Sequence, residues 1–270
     1  MIDIHSHILP DIDDGAEDME TAIKMAEIAV SEGITKMIAT PHFIEEDREI
    51  EKEKVLEKVN ELNSALKQQS IDLEILPGEE IFLTPNIAKL YEEDRILTLC
   101  NQKKYILIEL PLMTIPLYAK DVIHSLTLKG LRVIIAHPER NREISKDMGK
   151  LKEFLKMGAL VQVNTLSLMG VFGRRAKHTA QKIIRFGMAN FLATDCHTPR
   201  SRSPRMQEAR KRLSQADAEL LMETNPAKIL TNEDIKPIDV SSRGKGMSFL
   251  KRMTVFFDSF KEVKGAKNEI

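Results

Sequence analysis

Five of the seven histidines, His5, His7, His42, His137 and His197, fall at or just past the ends of short apolar runs that read as strands. A single histidine is most often a structural residue. Five at strand ends differ, because in a parallel barrel those ends share one face. His5-x-His7 comes first. Residues i and i+2 of an extended segment point to the same side, so two imidazoles can bind one metal ion. Asp195-x-His197 repeats that spacing after Phe191–Thr194, and carboxylate with imidazole suits borderline metals. Glu80 follows a short strand and could bridge two ions, whereas its neighbour Glu79 is expected to point away. Glu109 sits in the apolar run Tyr-Ile-Leu-Ile-Glu-Leu-Pro, where an unpaired carboxylate is costly to bury. Metal ligation explains it better than a buried ion pair. His124 and His178 fall inside helical patterns and receive no role.

Two local patterns compete for other chemistry. Asp11, Asp13, Asp14 and Gly15 form an acidic turn, but the glycine comes one place too early for a calcium loop. The plain reading is a turn with Asp18 as a helix N-cap. Asp14 is taken as a ligand only because the histidines surround it. Cys196 to Ser203 fits C-x5-R-S, the loop of cysteine-dependent tyrosine phosphatases, with Cys196 as nucleophile and Arg202 as phosphate clamp. Against it, Asp195 beside the thiol would raise its pKa, where a nucleophile needs it lowered. Pro199 has no N–H to offer a phosphate, the loop lacks glycines, and the other strand-end ligands go unexplained.

The elements that must position these groups alternate. Strands are expected at 1–4, 35–39, 73–76, 105–110, 131–136, 160–164 and 190–194, rich in Ile, Leu and Val as strands buried on both faces should be. Helical patterns lie between them at 19–31, 48–69, 117–129, 149–157 and 174–186. Gly33, Gly130, Gly158 and Gly187 each stand where a helix C-cap belongs. Seven strands in βα alternation imply a parallel α/β sheet. Ligands from many different strand ends converge only if the strands form a ring, which favours a barrel.

The totals set bounds. A chain of 270 residues with 42% hydrophobic and 30% charged residues has ample material for a core. A net charge of −1 gives no general basic footprint, so no nucleic-acid partner is expected. Two cysteines make no disulfide framework, and with no leader or spanning segment evident a cytoplasmic location is expected. Residues 1–235 are expected to form the barrel domain. Residues 236–270 are expected to be a linker and a basic, phenylalanine-containing tail that could touch an anionic membrane surface, a peripheral position at its inner face.

His5-Ser-His7, Thr40-Pro-His42, Gly78-Glu-Glu80, Ala136-His-Pro-Glu-Arg140 and Thr194-Asp-Cys-His197 resemble, in order, the motifs of the PHP (polymerase and histidinol phosphatase) superfamily. The opening M-I-D-I-H-x-H-I-L-P-x-x-D-D-G and the stretch H-P-E-R-N-R-E are similar to its CpsB/YwqE branch. That branch comprises manganese-dependent protein-tyrosine phosphatases of Gram-positive capsule and exopolysaccharide systems. The match runs from residue 1 to about 232; each motif is short, but the ordered set is specific. The resemblance implies a distorted (β/α)7 barrel of the PHP type with three divalent ions, Mn2+ in the family. His5, His7, Glu80 and Asp195 would hold the first. Glu80 would bridge to a second, held also by Glu109 and His137. Asp14, His42 and His197 would hold the third, and Arg140 and Arg202 match the substrate-phosphate arginines.

The chemistry expected is phosphotyrosine hydrolysis by a metal-bridging hydroxide, because cations lower the pKa of bound water. Clustered cations and bidentate arginines offset the charge of a phosphate dianion. The donor set alone suits Mn, Fe or Zn. The implied partner is a tyrosine-phosphorylated protein, in the family a bacterial tyrosine kinase with a tyrosine-rich tail. A phosphatase for a small monoester such as histidinol phosphate is the alternative. A nuclease and a non-enzymatic scaffold rank below it.

Overall fold

The computed structural model describes residues 1–238. The expected tail from residue 239 onward lies outside the described residues. Nine parallel strands are present among the described residues: β1 (Ile2–Ser6), β2 (Lys36–Ala39), β3 (His42–Phe43), β4 (Glu74–Pro77), β5 (Glu80–Phe82), β6 (Tyr105–Glu109), β7 (Arg132–Ala136), β8 (Leu160–Asn164) and β9 (Phe191–Ala193). They form a three-stranded sheet, β1-β2-β4, and a six-stranded sheet, β3-β5-β6-β7-β8-β9.

The seven expected runs are all present, and β3 and β5 are additions. They arise because two runs break and resume. β2 and β3 are separated by Thr40-Pro41, and Pro41 cannot donate to a ladder. β4 and β5 are separated by Gly78-Glu79. A Cβ on Gly78 would come within 2.9 Å of Ile38 and 3.0 Å of Leu99, so only glycine passes there. At both breaks the chain steps from one sheet into the other. The sheets also meet beyond β9, where the His7 N–H donates to the Cys196 carbonyl (2.8 Å) and the Asp195 N–H to the His5 carbonyl (2.9 Å).

Alternation divides the strand residues between two apolar clusters. Ile4, Ile38, Leu107, Ile134, Leu160 and Phe191 share one cluster, whereas Ile106, Ile108, Val133, Ile135, Val161 and Val163 face the layer of helices. Ile235 joins the first cluster, and the Tyr105 hydroxyl, which accepts from its N–H, fixes it there. Ile238 packs on the outer layer, three residues past the expected boundary at 235.

The helix Met19–Ser31 opens on Asp18, whose carboxylate accepts from the Thr21 N–H at 2.8 Å. The second helix runs Lys52–Gln68, starting later than the expected residue 48. Arg48 instead pairs antiparallel with Ile44, folding 44–48 into a turn. The remaining long helices, Ala119–Leu128, Met148–Lys156 and Gly173–Arg185, lie within two residues of expectation. Gly33, Gly130, Gly158 and Gly187 all have positive φ, as C-cap residues should. No helix among the described residues is long and apolar enough to cross a membrane.

Candidate metal centre

All nine residues singled out from the sequence meet in one cluster, where β1, β6, β7 and β9 end and where His42 and Glu80 open β3 and β5. His5, His7, Glu80 and Asp195 form one group whose donor atoms lie within 4.8 Å of one another. Glu80 Oε2 is 3.1 Å from His5 Nε2 and 3.3 Å from His7 Nε2, and Asp195 Oδ1 is 3.6 and 3.5 Å from the same two atoms. A second group joins His42, Glu80 and Glu109, and a third joins His7, Asp14, His42 and His197. His137 Nε2 lies 2.8 Å from Glu80 Oε1 and 3.8 Å from Glu109 Oε1. The geometry therefore adds His42 to the Glu80–Glu109 pair and His7 to the Asp14 group, where the sequence had assigned neither.

The backbone is distorted to deliver two of these groups. His137 (φ 27°) and Asp195 (φ 51°), just past β7 and β9, lie in the left-handed region that non-glycine residues avoid. Such strain is sustained by surrounding structure and gathers at functional sites.

The donor set fits divalent cations. His5 Nδ1 sits 3.1 Å from Gln162 Oε1 and His7 Nδ1 sits 2.6 Å from Asp13 Oδ2. With Nδ1 donating to these acceptors, each ring in its neutral form presents the Nε2 lone pair to the centre, where the two Nε2 atoms lie 3.3 Å apart and a shared cation would hold both. His42 Nδ1, Glu80 Oε2 and His197 Nε2 are buried donor atoms at the centre, with His42 Nδ1 and Glu80 Oε2 3.2 Å apart, as ligands of shared ions would be.

Charge is distributed unevenly. Burial pushes Glu80 up, but His5 and His137 outweigh it and hold the carboxyl well below its usual range. Burial and the Glu80 charge push Glu109 up to about 8. Burial opposes a charge on His7, yet Asp13 holds its pKa well above the ordinary value, while burial and His7 drive His197 down to about 2. Neighbouring titratable groups are therefore pushed in opposite directions by burial and by one another.

Supporting residues that were assigned no role from sequence complete the site. Asp13 Oδ2 orients His7 and also accepts from the His42 N–H, while its Oδ1 accepts from Gly15. Gly15 is required because a Cβ there would lie 2.0 Å from the His7 carbonyl. That contact, and not calcium binding, accounts for the acidic turn's glycine. Gln162 and Asn164, polar residues in the otherwise apolar β8, form a chain in which Asn164 Nδ2 donates to Asp195 Oδ2 at 2.6 Å. Glu139 Oε1 in turn accepts from the Asn164 N–H. A buried polar residue interrupting an apolar strand was the available signal.

Glu79 does turn away: its carboxyl accepts from the Leu97 N–H at 2.7 Å, and burial pushes it up to about 8. Cys196 is fully buried, and burial, then the Asp3 charge, raise the thiol far above its ordinary value. Burial thus outweighs Asp195, the cause expected from sequence. A thiol so placed is no nucleophile. Arg140 Nη1 and Arg202 Nη2 donate to the two oxygens of Asp195 at 2.9 and 2.7 Å, and both guanidinium groups lie over the Phe172 ring.

A cluster of histidines and carboxylates at the ends of parallel strands, flanked by two arginines, defines a candidate polynuclear metal site with an anion-binding wall. The match to a family model for capsular polysaccharide synthesis, CpsB/CapC, spans residues 1–231, and the chain belongs to that family. It is 40% identical to the tyrosine-protein phosphatase YwqE of Bacillus subtilis over 209 residues, 77% of this chain and 82% of that protein. It is 29% identical to the tyrosine-protein phosphatase CpsB of Streptococcus pneumoniae, over 86% of this chain and 99% of that one. Among solved structures, a chain from the crystal structures of B. subtilis YwqE and S. pneumoniae CpsB, described as unique metal-dependent tyrosine phosphatases, matches with a TM-score of 0.82. It is 36% identical, over 88% of this chain and all of that one.

Proposed function

We propose that this protein is a metal-dependent protein-tyrosine phosphatase. The observation that carries the reading is the pair of Nε2 atoms of His5 and His7, 3.3 Å apart and bordered by Glu80 and by Asp195, which Arg140 and Arg202 both contact. Family membership supplies the reaction, since the relatives are named tyrosine-protein phosphatases.

Three ions are assigned, manganese by family resemblance. His5, His7, Glu80 and Asp195 would hold one; Glu80, Glu109 and His137 a second; and Asp14, His42 and His197 a third. His42 and His7 also lie within reach of the second and third positions. When bound, the ions supply water made nucleophilic at neutral pH and positive charge opposite the phosphate. Asp13 and Gln162 fix the tautomers of His7 and His5, so that both present Nε2 to the centre. Arg140 and Arg202 bind the phosphate oxygens and stabilise the charge that spreads over them during transfer. The tyrosine leaving group is a phenol with a pKa of about 10, which eases departure.

The two sheets are read as a distorted (β/α)7 barrel, supported by the hydrogen bonds joining β1 to the end of β9 and by the shared inner cluster. Residues 1–235 would be its domain and the remainder a tail. A cytoplasmic location and a tyrosine kinase of polysaccharide export as substrate complete the reading; two free cysteines and the capsule family favour it. The test is hydrolysis of a phosphotyrosine peptide before and after metal removal.

A further inference from the structure

Between residues 173 and 212 the chain carries eleven lysines and arginines against two acidic residues, in a protein of net charge −1. Part of that excess is paired: Arg202 with Asp195, Arg210 with Glu223 and Arg212 with Glu208. Arg174, Arg175 and Arg200 are exposed, with no carboxylate of the described residues at ion-pair distance. Arg174 and Arg175 occupy the first turn of the helix Gly173–Arg185, which holds no acidic residue. A helix N-terminus carries partial positive charge and favours anions, so two adjacent cations there work against the fold. Helix stability does not explain them.

Their position ties them to the site. Phe172 directly precedes that helix, and its ring centroid lies 4.5 Å from Arg140 Cζ and 5.6 Å from Arg202 Cζ. Arg200 is two residues from Arg202 and close enough to Lys24, in the helix Met19–Ser31, to repel it. Arg174 and Arg175 thus follow Phe172 closely and Arg200 precedes Arg202, whereas Lys24 is paired with Glu20. The segment after β3 exposes Glu46, Asp47 and Glu49, of which Glu49 pairs with Arg95, while its Arg48 lies 3.5 Å from Asp14.

We propose that Arg174, Arg175 and Arg200 form a docking rim for acidic side chains flanking the phosphotyrosine, so that the preferred substrate is a phosphotyrosine segment with an acidic flank. This rests on the phosphatase reading for the place of the phosphate, and it adds a sequence preference that metals and phosphate arginines do not provide. An electrostatic rim acts mainly on encounter and binding, and it weakens with salt.

The experiment compares kcat/KM of the manganese-loaded protein for three phosphotyrosine peptides of equal length, flanked by Asp/Glu, by Gln or by Lys, at low and high salt. The small substrate p-nitrophenyl phosphate is the control. The R174Q/R175Q/R200Q variant is measured beside the wild type, since glutamine keeps helix propensity and removes charge. The expected result is a preference for the acidic over the neutral peptide of about tenfold at low salt. It should shrink at high salt and vanish in the variant, with p-nitrophenyl phosphate turnover unchanged. An acidic peptide turned over no faster than the neutral one, or a preference kept by the variant, overturns the proposal. So does loss of sedimentation with anionic vesicles in the variant where the wild type shows no peptide preference, which would make the rim a membrane surface. Fluorescence anisotropy of the unphosphorylated acidic peptide separates the two levels. If no phosphoester is turned over, the phosphatase reading fails, and the rim stands or falls on whether the wild type binds that peptide more tightly than the variant.

Discussion

The Asp13 carboxylate lies 2.6 Å from His7 Nδ1 and also accepts the His42 N–H, so one carboxylate sets the orientation of two candidate metal ligands. Loss of a carboxylate that orients a metal-bound histidine costs about 10- to 100-fold in metal affinity or activity. Asp13→Asn is expected to weaken manganese binding by that order while leaving the fold intact, because the amide oxygen can still accept from Gly15. Manganese titration of the chelated variant, read by restored activity and by calorimetry, measures it. Unchanged affinity would mean that Asp13 serves the turn alone.

Cys196 is buried between Asp195 and His197, with its thiol held protonated. Cys196→Ser is expected to keep most of the activity toward a phosphotyrosine peptide. A fall of several orders of magnitude would transfer the chemistry to the thiol.

Arg140 and Arg202 each donate to one oxygen of Asp195 and lie against Phe172. Lysine keeps the charge at either position but loses the planar fork that matches two phosphate oxygens. Arg140→Lys and Arg202→Lys are each expected to lower kcat/KM about 10- to 100-fold with metal content unchanged. Steady-state kinetics with metal analysis checks this, and near-normal kcat/KM in both variants would remove the arginines from phosphate recognition.

Glu79 gives a pH dependence of stability separate from the site. Its folded-state pKa is raised by burial from the ordinary 4.5 to about 8. The folded chain therefore keeps a proton that the unfolded chain releases. That contribution is complete below about pH 4.5 and is lost as the pH rises through 8, in total on the order of a few kcal/mol. Glutamine preserves an acceptor for the Leu97 N–H and does not titrate. In chelated protein, the melting temperature of Glu79→Gln relative to wild type is expected to rise between pH 5 and pH 8. A difference that stays flat over this range would show Glu79 to be solvated.

Much of this arrangement was legible in the sequence because burial makes polar residues conspicuous. Glu109 stood out by interrupting an apolar strand, and His5-x-His7 and Asp195-x-His197 by a spacing that puts two donors on one side of the chain. The choice between Asp13 and Asp14 was not legible in full, since consecutive acids in a turn separate into a ligand and an orienting group only through the path of the backbone around His7. β3 and β5 escaped because strands of two and three residues carry no periodicity, and the break at Gly78 is set by packing against Ile38 and Leu99. Phe172 escaped because its partners, Arg140 and Arg202, are distant in sequence.

The most direct test of the central claim is hydrolysis of a phosphotyrosine peptide by the purified protein, then by the same protein stripped with a chelator, then after manganese is returned. The account predicts turnover that disappears on stripping and returns with manganese. Turnover that persists while metal analysis finds the protein free of divalent ions would contradict it.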